Sequence, residues 1–128
     1  MSAGRKRILV VDDAAVVRAY YRSILEGAGF EVDEALNGLE ALERLLAGRA
    51  DLLVVDINMP QMDGLTFLRN LREREDPIAS IPALVTSTES AEPDFAAARA
   101  AGANYYLVKP VEAGQLVEFA RMVCGVSP

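Results

Sequence analysis

Six residues in this 128-residue chain could do chemistry together if the fold brings them to one place. The apolar run 8–11 stops at two adjacent carboxylates, Asp12 and Asp13, and the run 52–55 stops at Asp56. A third run ends in hydroxyls, Thr86 and Ser87, and a fourth, 105–108, ends at Lys109. Three carboxylates side by side repel one another and raise a pKa unless they share a cation. A divalent ion would relieve them, and oxygen ligands that leave room for water and a phosphoryl oxygen favour Mg²⁺ over Ca²⁺. Asn58 could add its backbone carbonyl to that set. A lysine and a hydroxyl facing the ion would clamp a phosphoryl group on Asp56, which makes Asp56 a nucleophile and its product an acyl phosphate. Singly, each residue has a plainer reading. Asp12 or Asp13 could cap a helix for ~1 kcal/mol, Asp63 could do the same, Lys109 could be a surface charge and Ser87 a strand-end hydroxyl. Four chemically useful strand ends at one edge make coincidence the poorer explanation.

Composition narrows the alternatives. There is no histidine, which removes Ser-His and Cys-His catalysis, histidine metal sites and autonomous phosphohistidine chemistry. No G-x-x-x-x-G-K-[ST] pattern is present. Cys124 is the single cysteine and cannot form an internal disulfide. No apolar run approaches the roughly 20 residues of a membrane span, and Arg5-Lys6-Arg7 precedes too short an apolar run for a secretory signal, so a cytoplasmic protein is expected. A net charge of -6 argues against general affinity for nucleic acid or anionic lipid. Arg5, Lys6 and Arg7 read as a solvated terminus.

The elements that must position these residues follow from hydrophobic period. Val17, Tyr20, Tyr21, Ile24 and Leu25 form a helical stripe ending near Gly27 and Gly29. Residues 30–35 read as a charged edge strand, and Leu39, Leu42, Leu45 and Leu46 as a second helix ended by Gly48. The run 52–55 is apolar throughout, as expected of a strand buried on both faces. Pro60 and Gly64 turn the chain after Asp56, before a third helix carrying Leu65, Leu68 and Leu71. Residues 76–82 read as loop and 83–87 as a fourth strand. Pro93 suits the first turn of an alanine-rich fourth helix that Gly102 ends, and that helix has little to bury. Residues 105–108 form a fifth strand, and Leu116, Phe119, Ala120 and Val123 stripe a last helix. Strands alternating with helices imply an α/β fold, one doubly wound five-stranded parallel sheet covered on both faces. In such sheets ligands bind outside the carboxyl ends of the strands.

Val10-Val11-Asp12-Asp13, the block from Asp56 to Gly64, and Tyr106-Leu107-Val108-Lys109-Pro110 resemble the signature blocks of the bacterial response-regulator receiver domain. The resemblance runs from Arg7 to Val123, and the blocks are jointly specific. It implies the flavodoxin-like (βα)5 strand order 2-1-3-4-5. The expectation is one receiver domain over 1–128, core about 7–124, without an output domain. The resemblance further implies Asp12 and Asp13 as metal-site acids, Asp56 as phosphoacceptor, Asn58 as a carbonyl ligand, Lys109 as a phosphate contact, Tyr106 as a switch aromatic, and a cis Lys109-Pro110 bond. For the switch hydroxyl, counting forward from Asp56 points to Thr86. Counting from Pro82, or back from Lys109, points to Ser87. A one-residue insertion within 72–81 reconciles the counts, because loops accept insertions, and Ser87 is chosen.

The implied function is a phosphorylation-activated switch of a two-component system. It is a monomer charged by a separate histidine kinase or histidine phosphotransfer protein, and it catalyses only its own phosphorylation and dephosphorylation. It signals through the surface of the fourth helix, fifth strand and fifth helix, in the chemotaxis manner, with a phosphorelay intermediate or phosphate sink as alternatives. A phosphate-independent binding module would be expected to have lost a site residue, and none is lost. An aspartyl phosphohydrolase needs an acid-base carboxylate two residues after its nucleophile, where this chain has Asn58, which cannot transfer the proton.

Overall fold

The computed structural model describes residues 5–59 and 62–126, so the turn expected at Pro60 lies outside the described residues. The chain runs β1 (Arg7–Val11), α1 (Ala15–Gly27), β2 (Glu31–Ala35), α2 (Gly38–Ala47), β3 (Leu52–Asp56), α3 (Gly64–Arg72), a 3-10 turn (Ile78–Ser80), β4 (Ala83–Ser87), α4 (Glu92–Ala101), β5 (Tyr105–Val108) and α5 (Ala113–Cys124). All strand pairs are parallel, in the expected flavodoxin-like order β2-β1-β3-β4-β5. The 3-10 turn falls where the sequence reads as loop.

Successive strand side chains point to opposite faces, so the sheet divides its residues between two cores. Leu9, Val11, Leu53, Val55 and Val85 pack with Leu42, Phe67 and Leu71 on one face. Ile8, Val10, Leu52, Val54 and Leu84 pack with Tyr21, Leu25 and Leu116 on the other. Continuing that alternation past the apolar runs sends Asp12, Asp56 and Thr86 to the face covered by α1 and α5, and Ser87 to the opposite one.

Three expected stripe residues are exposed. Leu39 and Leu46 are 50% and 66% exposed, and Tyr20 is 45% exposed. Tyr20 lies at the rim because its hydroxyl can donate to the Val111 carbonyl at 3.1 Å, an apolar body with a polar tip. Arg7 is no loose terminus either. It opens β1, and its guanidinium pairs with Glu31 at 3.2 Å. Within α4 only Ala98 and Ala101 are buried, in keeping with its small side chains.

At the opposite edge from the strand carboxyl ends, Arg72 ties three segments together. Its guanidinium donates to the carbonyls of Gly102, Ala79 and Ile81 and to Asn104 Oδ1. Gly102 has φ +110, and a Cβ there would lie 2.6 Å from Arg72 Cγ, so the turn needs glycine twice over.

Candidate functional site

Asp56 is the last residue of β3 and Asp12 the first after β1, and they are 4% and 1% exposed. Asp13 is exposed. Carboxylate oxygens of all three lie within 4.8 Å of one another. The helix-cap alternative fails for Asp12 and Asp13, because Ala14 occupies the N-cap of α1 and supplies no side-chain bond. Asp12 Oδ1 instead accepts the Ala14 N–H at 2.9 Å, a local turn that fixes the direction of the carboxylate. Asp63, by contrast, does cap its helix, accepting the Thr66 N–H at 2.8 Å.

Lys109 follows β5 directly, yet its ammonium lies 3.4 Å from Asp12 Oδ2 and 3.3 Å from Asp56 Oδ1. The Asn58 N–H also donates to Asp56 Oδ1, at 3.3 Å. Both donors therefore hold one oxygen of Asp56, and among the described residues none donates to Oδ2. Burial raises the Asp56 pKa first, the Asp12 carboxylate adds to it, and Lys109 and the Asn58 N–H oppose it. The acids thus carry more negative charge than one ammonium relieves. Their all-oxygen donor set, with one member open to solvent, fits a hard divalent ion.

Behind Asp56 the chain returns at close range. Gly64 begins α3, its N–H donates to the Ile57 carbonyl at 2.9 Å, and a Cβ there would stand 2.4 Å from the Asp56 carbonyl oxygen.

The two candidate hydroxyls separate cleanly. Thr86 pairs in register with Asp56 and is fully buried, and its Oγ1 has no hydrogen-bond partner among the described residues. Tyr21 of α1 faces it from the covering helix, where burial first and Asp12 second push the phenol up to about 12. Ser87 ends β4, and its Oγ accepts the Glu89 N–H at 3.0 Å. The half-buried Tyr106 donates from its hydroxyl to the Glu89 carbonyl, also at 3.0 Å. Its ring meets Phe95 of α4 edge-on, centroids 4.7 Å apart. Ser87 and Tyr106 therefore both reach the backbone of Glu89, at the entrance to α4. Sequence reasoning missed Phe95, Tyr21 and the Glu89 backbone. A backbone contact leaves no mark in residue type, and a tyrosine on a helical stripe reads as core. The expected cis bond at Lys109-Pro110 is present, and Asp76-Pro77 is cis as well.

Residues 8–121 match the family model of the response regulator receiver domain. The chain belongs to that family. Solved receivers share its whole architecture: the Vibrio cholerae chemotaxis protein CheY4 is 31% identical with a TM-score of 0.87, covering 94% of this chain and 99% of that one. A putative response regulator from Chloroflexus aurantiacus is 32% identical with a TM-score of 0.87, covering 94% and 98%. Among curated relatives, the transcriptional regulatory protein PrrA of Mycobacterium tuberculosis is 41% identical over 111 residues, 87% of this chain and 46% of that protein. The PrrA of Mycobacterium leprae matches to the same extent. This receiver thus spans about half the length of those relatives. As a receiver domain it is of the two-component signalling class. Among the described residues no helix is long and apolar enough to cross a membrane.

Proposed function

We propose that this receiver accepts a phosphoryl group on Asp56 from a histidine kinase or histidine phosphotransfer protein, in a Mg²⁺-dependent reaction in the cytoplasm. The observation that carries the reading is the asymmetry of Asp56. Oδ1 is held by Lys109 and the Asn58 N–H, no described residue donates to Oδ2, and Asp12 and Asp13 stand within 4.8 Å. Oδ2 attacks phosphorus, the new O–P bond forms, and the donor's N–P bond breaks with its electron pair returning to the imidazole nitrogen. Asp12, Asp13, Asp56 and the Asn58 carbonyl would hold Mg²⁺, which when bound offsets the charge gathered on the phosphoryl oxygens. Lys109 supplies a second cation on that oxygen cluster, and the Ser87 hydroxyl, which accepts from the Glu89 N–H at the end of β4, would turn toward it.

The signal leaves through the surface of α4, β5 and α5. A Ser87 hydroxyl drawn toward the phosphoryl group gives up its bond to the Glu89 N–H, and Tyr106, anchored on the same residue, then repacks against Phe95. This couples a charge change to a packing change. Because only two small residues of α4 are buried, the helix shifts at low cost. The output we favour is a protein–protein contact of the chemotaxis type by a monomer, supported by the near-complete mutual coverage with CheY4. A receiver of a transcriptional regulator is the second reading, supported by the higher identity to PrrA.

Intact-mass measurement with acetyl phosphate tests the core claim. One phosphoryl group should add to the wild type with Mg²⁺ present, and none to Asp56→Asn or in chelator. Full labelling of Asp56→Asn would sink the assignment. Amide exchange with a phosphoryl mimic tests the output face: protection changes that stay around Asp56 and never reach residues 90–124 would exclude it.

A further inference from the structure

The junction between β1 and α1 carries two of the three acids at the candidate metal site, and they are held very differently. Asp12 is tethered throughout: its N–H donates to the Ala35 carbonyl at 3.1 Å, its Oδ1 accepts the Ala14 N–H at 2.9 Å, and its Oδ2 lies 3.4 Å from the Lys109 ammonium. Asp13 is exposed, and among the described residues no hydrogen bond or ion pair holds its carboxylate. The direction of that side chain is therefore set by its backbone. The peptide plane it hangs from begins with the Asp12 carbonyl.

That carbonyl is claimed by Arg18 of α1. The guanidinium donates from Nη1 to the Asp12 carbonyl at 2.7 Å and from Nε to Glu34 Oε1 at 2.9 Å, and both side chains are largely covered. Glu34 lies on β2 with the parity of Val32, which packs under α1, so it faces that helix too. A charge that the sequence reads as edge protection thus braces an arginine. Arg22 already ties α1 to β2, through Glu34 and through the Val32 carbonyl at 2.6 Å. Docking the helix does not need the reach of Arg18, which goes to the backbone of a metal-site acid. A charge-assisted bond on a peptide carbonyl resists rotation of that peptide, and rotation would swing the Asp13 side chain away from Asp12 and Asp56.

We infer that Arg18, braced by Glu34, is a positioning residue for the metal site: it locks the Asp12–Asp13 peptide and so aims the Asp13 carboxylate at the ion. Arg18 touches neither the ion nor the phosphoryl group. Its positive charge opposes cation binding while its geometry favours it, so an electrostatic role and a positioning role differ in sign. The inference rests on the reading of Asp12, Asp13 and Asp56 as a divalent-cation site.

The test titrates Mn²⁺, a paramagnetic stand-in for Mg²⁺, into the wild type, Arg18→Met, Arg18→Lys, Asp13→Asn, and the double variant of Arg18→Met with Asp13→Asn, counting free ion by electron paramagnetic resonance. Arg18→Met keeps the apolar stem and loses both donors, and it should weaken Mn²⁺ binding about tenfold. Arg18→Lys keeps the charge without the planar fork and should weaken binding about threefold. In the Asp13→Asn background, Arg18→Met should cost less than about twofold more, because the residue it aims has lost its charge. Labelling by acetyl phosphate gives a second readout: in Arg18→Met the Mg²⁺ half-saturation point should rise about tenfold, with the rate at saturating Mg²⁺ within about twofold of wild type. Thermal melts establish that each variant is folded at the assay temperature, and if Arg18→Met is not, Arg18→Lys decides by the same two readouts. Wild-type or tighter Mn²⁺ binding in the Arg18 variants, an undiminished loss in the Asp13→Asn background, or a slowed maximal rate at unchanged half-saturation would each overturn the role. If the wild type itself binds no Mn²⁺, the cation-site reading falls, and the inference with it.

Discussion

Replacing Gly64 by Ala adds one carbon where the site has no room for it. The new Cβ would stand 2.4 Å from the Asp56 carbonyl oxygen and 2.9 Å from Ile57 Cα. A carbon and a carbonyl oxygen settle at about 3.3 Å or more, so something must move by roughly 1 Å. Neither obstructing atom belongs to a side chain, and no rotamer change relieves the contact. α3 cannot retreat freely, since Phe67, Leu68 and Leu71 are fully buried and the Gly64 N–H is bonded to the Ile57 carbonyl. Overpacking against rigid surroundings costs about 1–3 kcal/mol, and the helix-propensity gain of alanine returns less than about 1 kcal/mol at a first-turn position. A net loss of about 2 kcal/mol lowers Tm by roughly 6–10 °C in a domain of this size. Because the clash falls on the peptide that carries Asp56, labelling by acetyl phosphate should also slow in protein kept well below its Tm. Thermal melts followed by circular dichroism, paired with intact-mass kinetics, measure both effects. A melting point within about 2 °C of wild type, with unchanged labelling, would refute the claim that backbone proximity at Gly64 sets the phosphoacceptor.

Three further outcomes follow from burial and charge. Asp56 has a raised pKa, so the folded state holds its proton to higher pH than the unfolded chain does, and the stability this gives is lost as pH rises through the folded value. Asp56→Asn should therefore make the metal-free protein more stable at neutral pH, with the gain closing as pH falls toward the ordinary aspartate range; urea titrations at several pH values check it, and equal stability throughout would contradict it. Arg72→Ala strips four acceptors in the segments 79–81 and 102–104 of their donor, and a loss of about 3 kcal/mol or more is expected in urea unfolding. Arg72→Lys should recover only part, lacking the planar fork. Burial, then Asp51, pushes the Cys124 thiol up to about 11, so iodoacetamide at pH 8 should modify it slowly in native protein and rapidly in denaturant. Equal rates in both would show that α5 does not protect it.

The order of elements and the residues that end the strands were legible in the sequence because both are local properties. Four-residue apolar runs stopping at Asp12, Asp56 and Lys109 declare strand ends whatever surrounds them, and the parallel α/β class follows from alternation. The helical stripes were less reliable at their rims. Leu39, Leu46 and Tyr20 satisfy the period yet lie exposed, because period gives a face and not how far the neighbouring element covers it. The choice between Thr86 and Ser87 shows the limit most sharply. They are adjacent hydroxyls that counting could assign only by placing an insertion, whereas strand pleat sends one under Tyr21 beside Asp56 and leaves the other at the loop into α4. Lys109 reaching over β4, Tyr106 anchored on the Glu89 carbonyl, and Gly64 against the Asp56 peptide all join residues remote in the chain. Such contacts depend on strand order, register and backbone position, quantities that residue type does not encode locally. Composition determined by itself that the chemistry would run on carboxylates, hydroxyls and a lysine; tertiary structure alone decided which oxygen of Asp56 is held and which has no donor among the described residues.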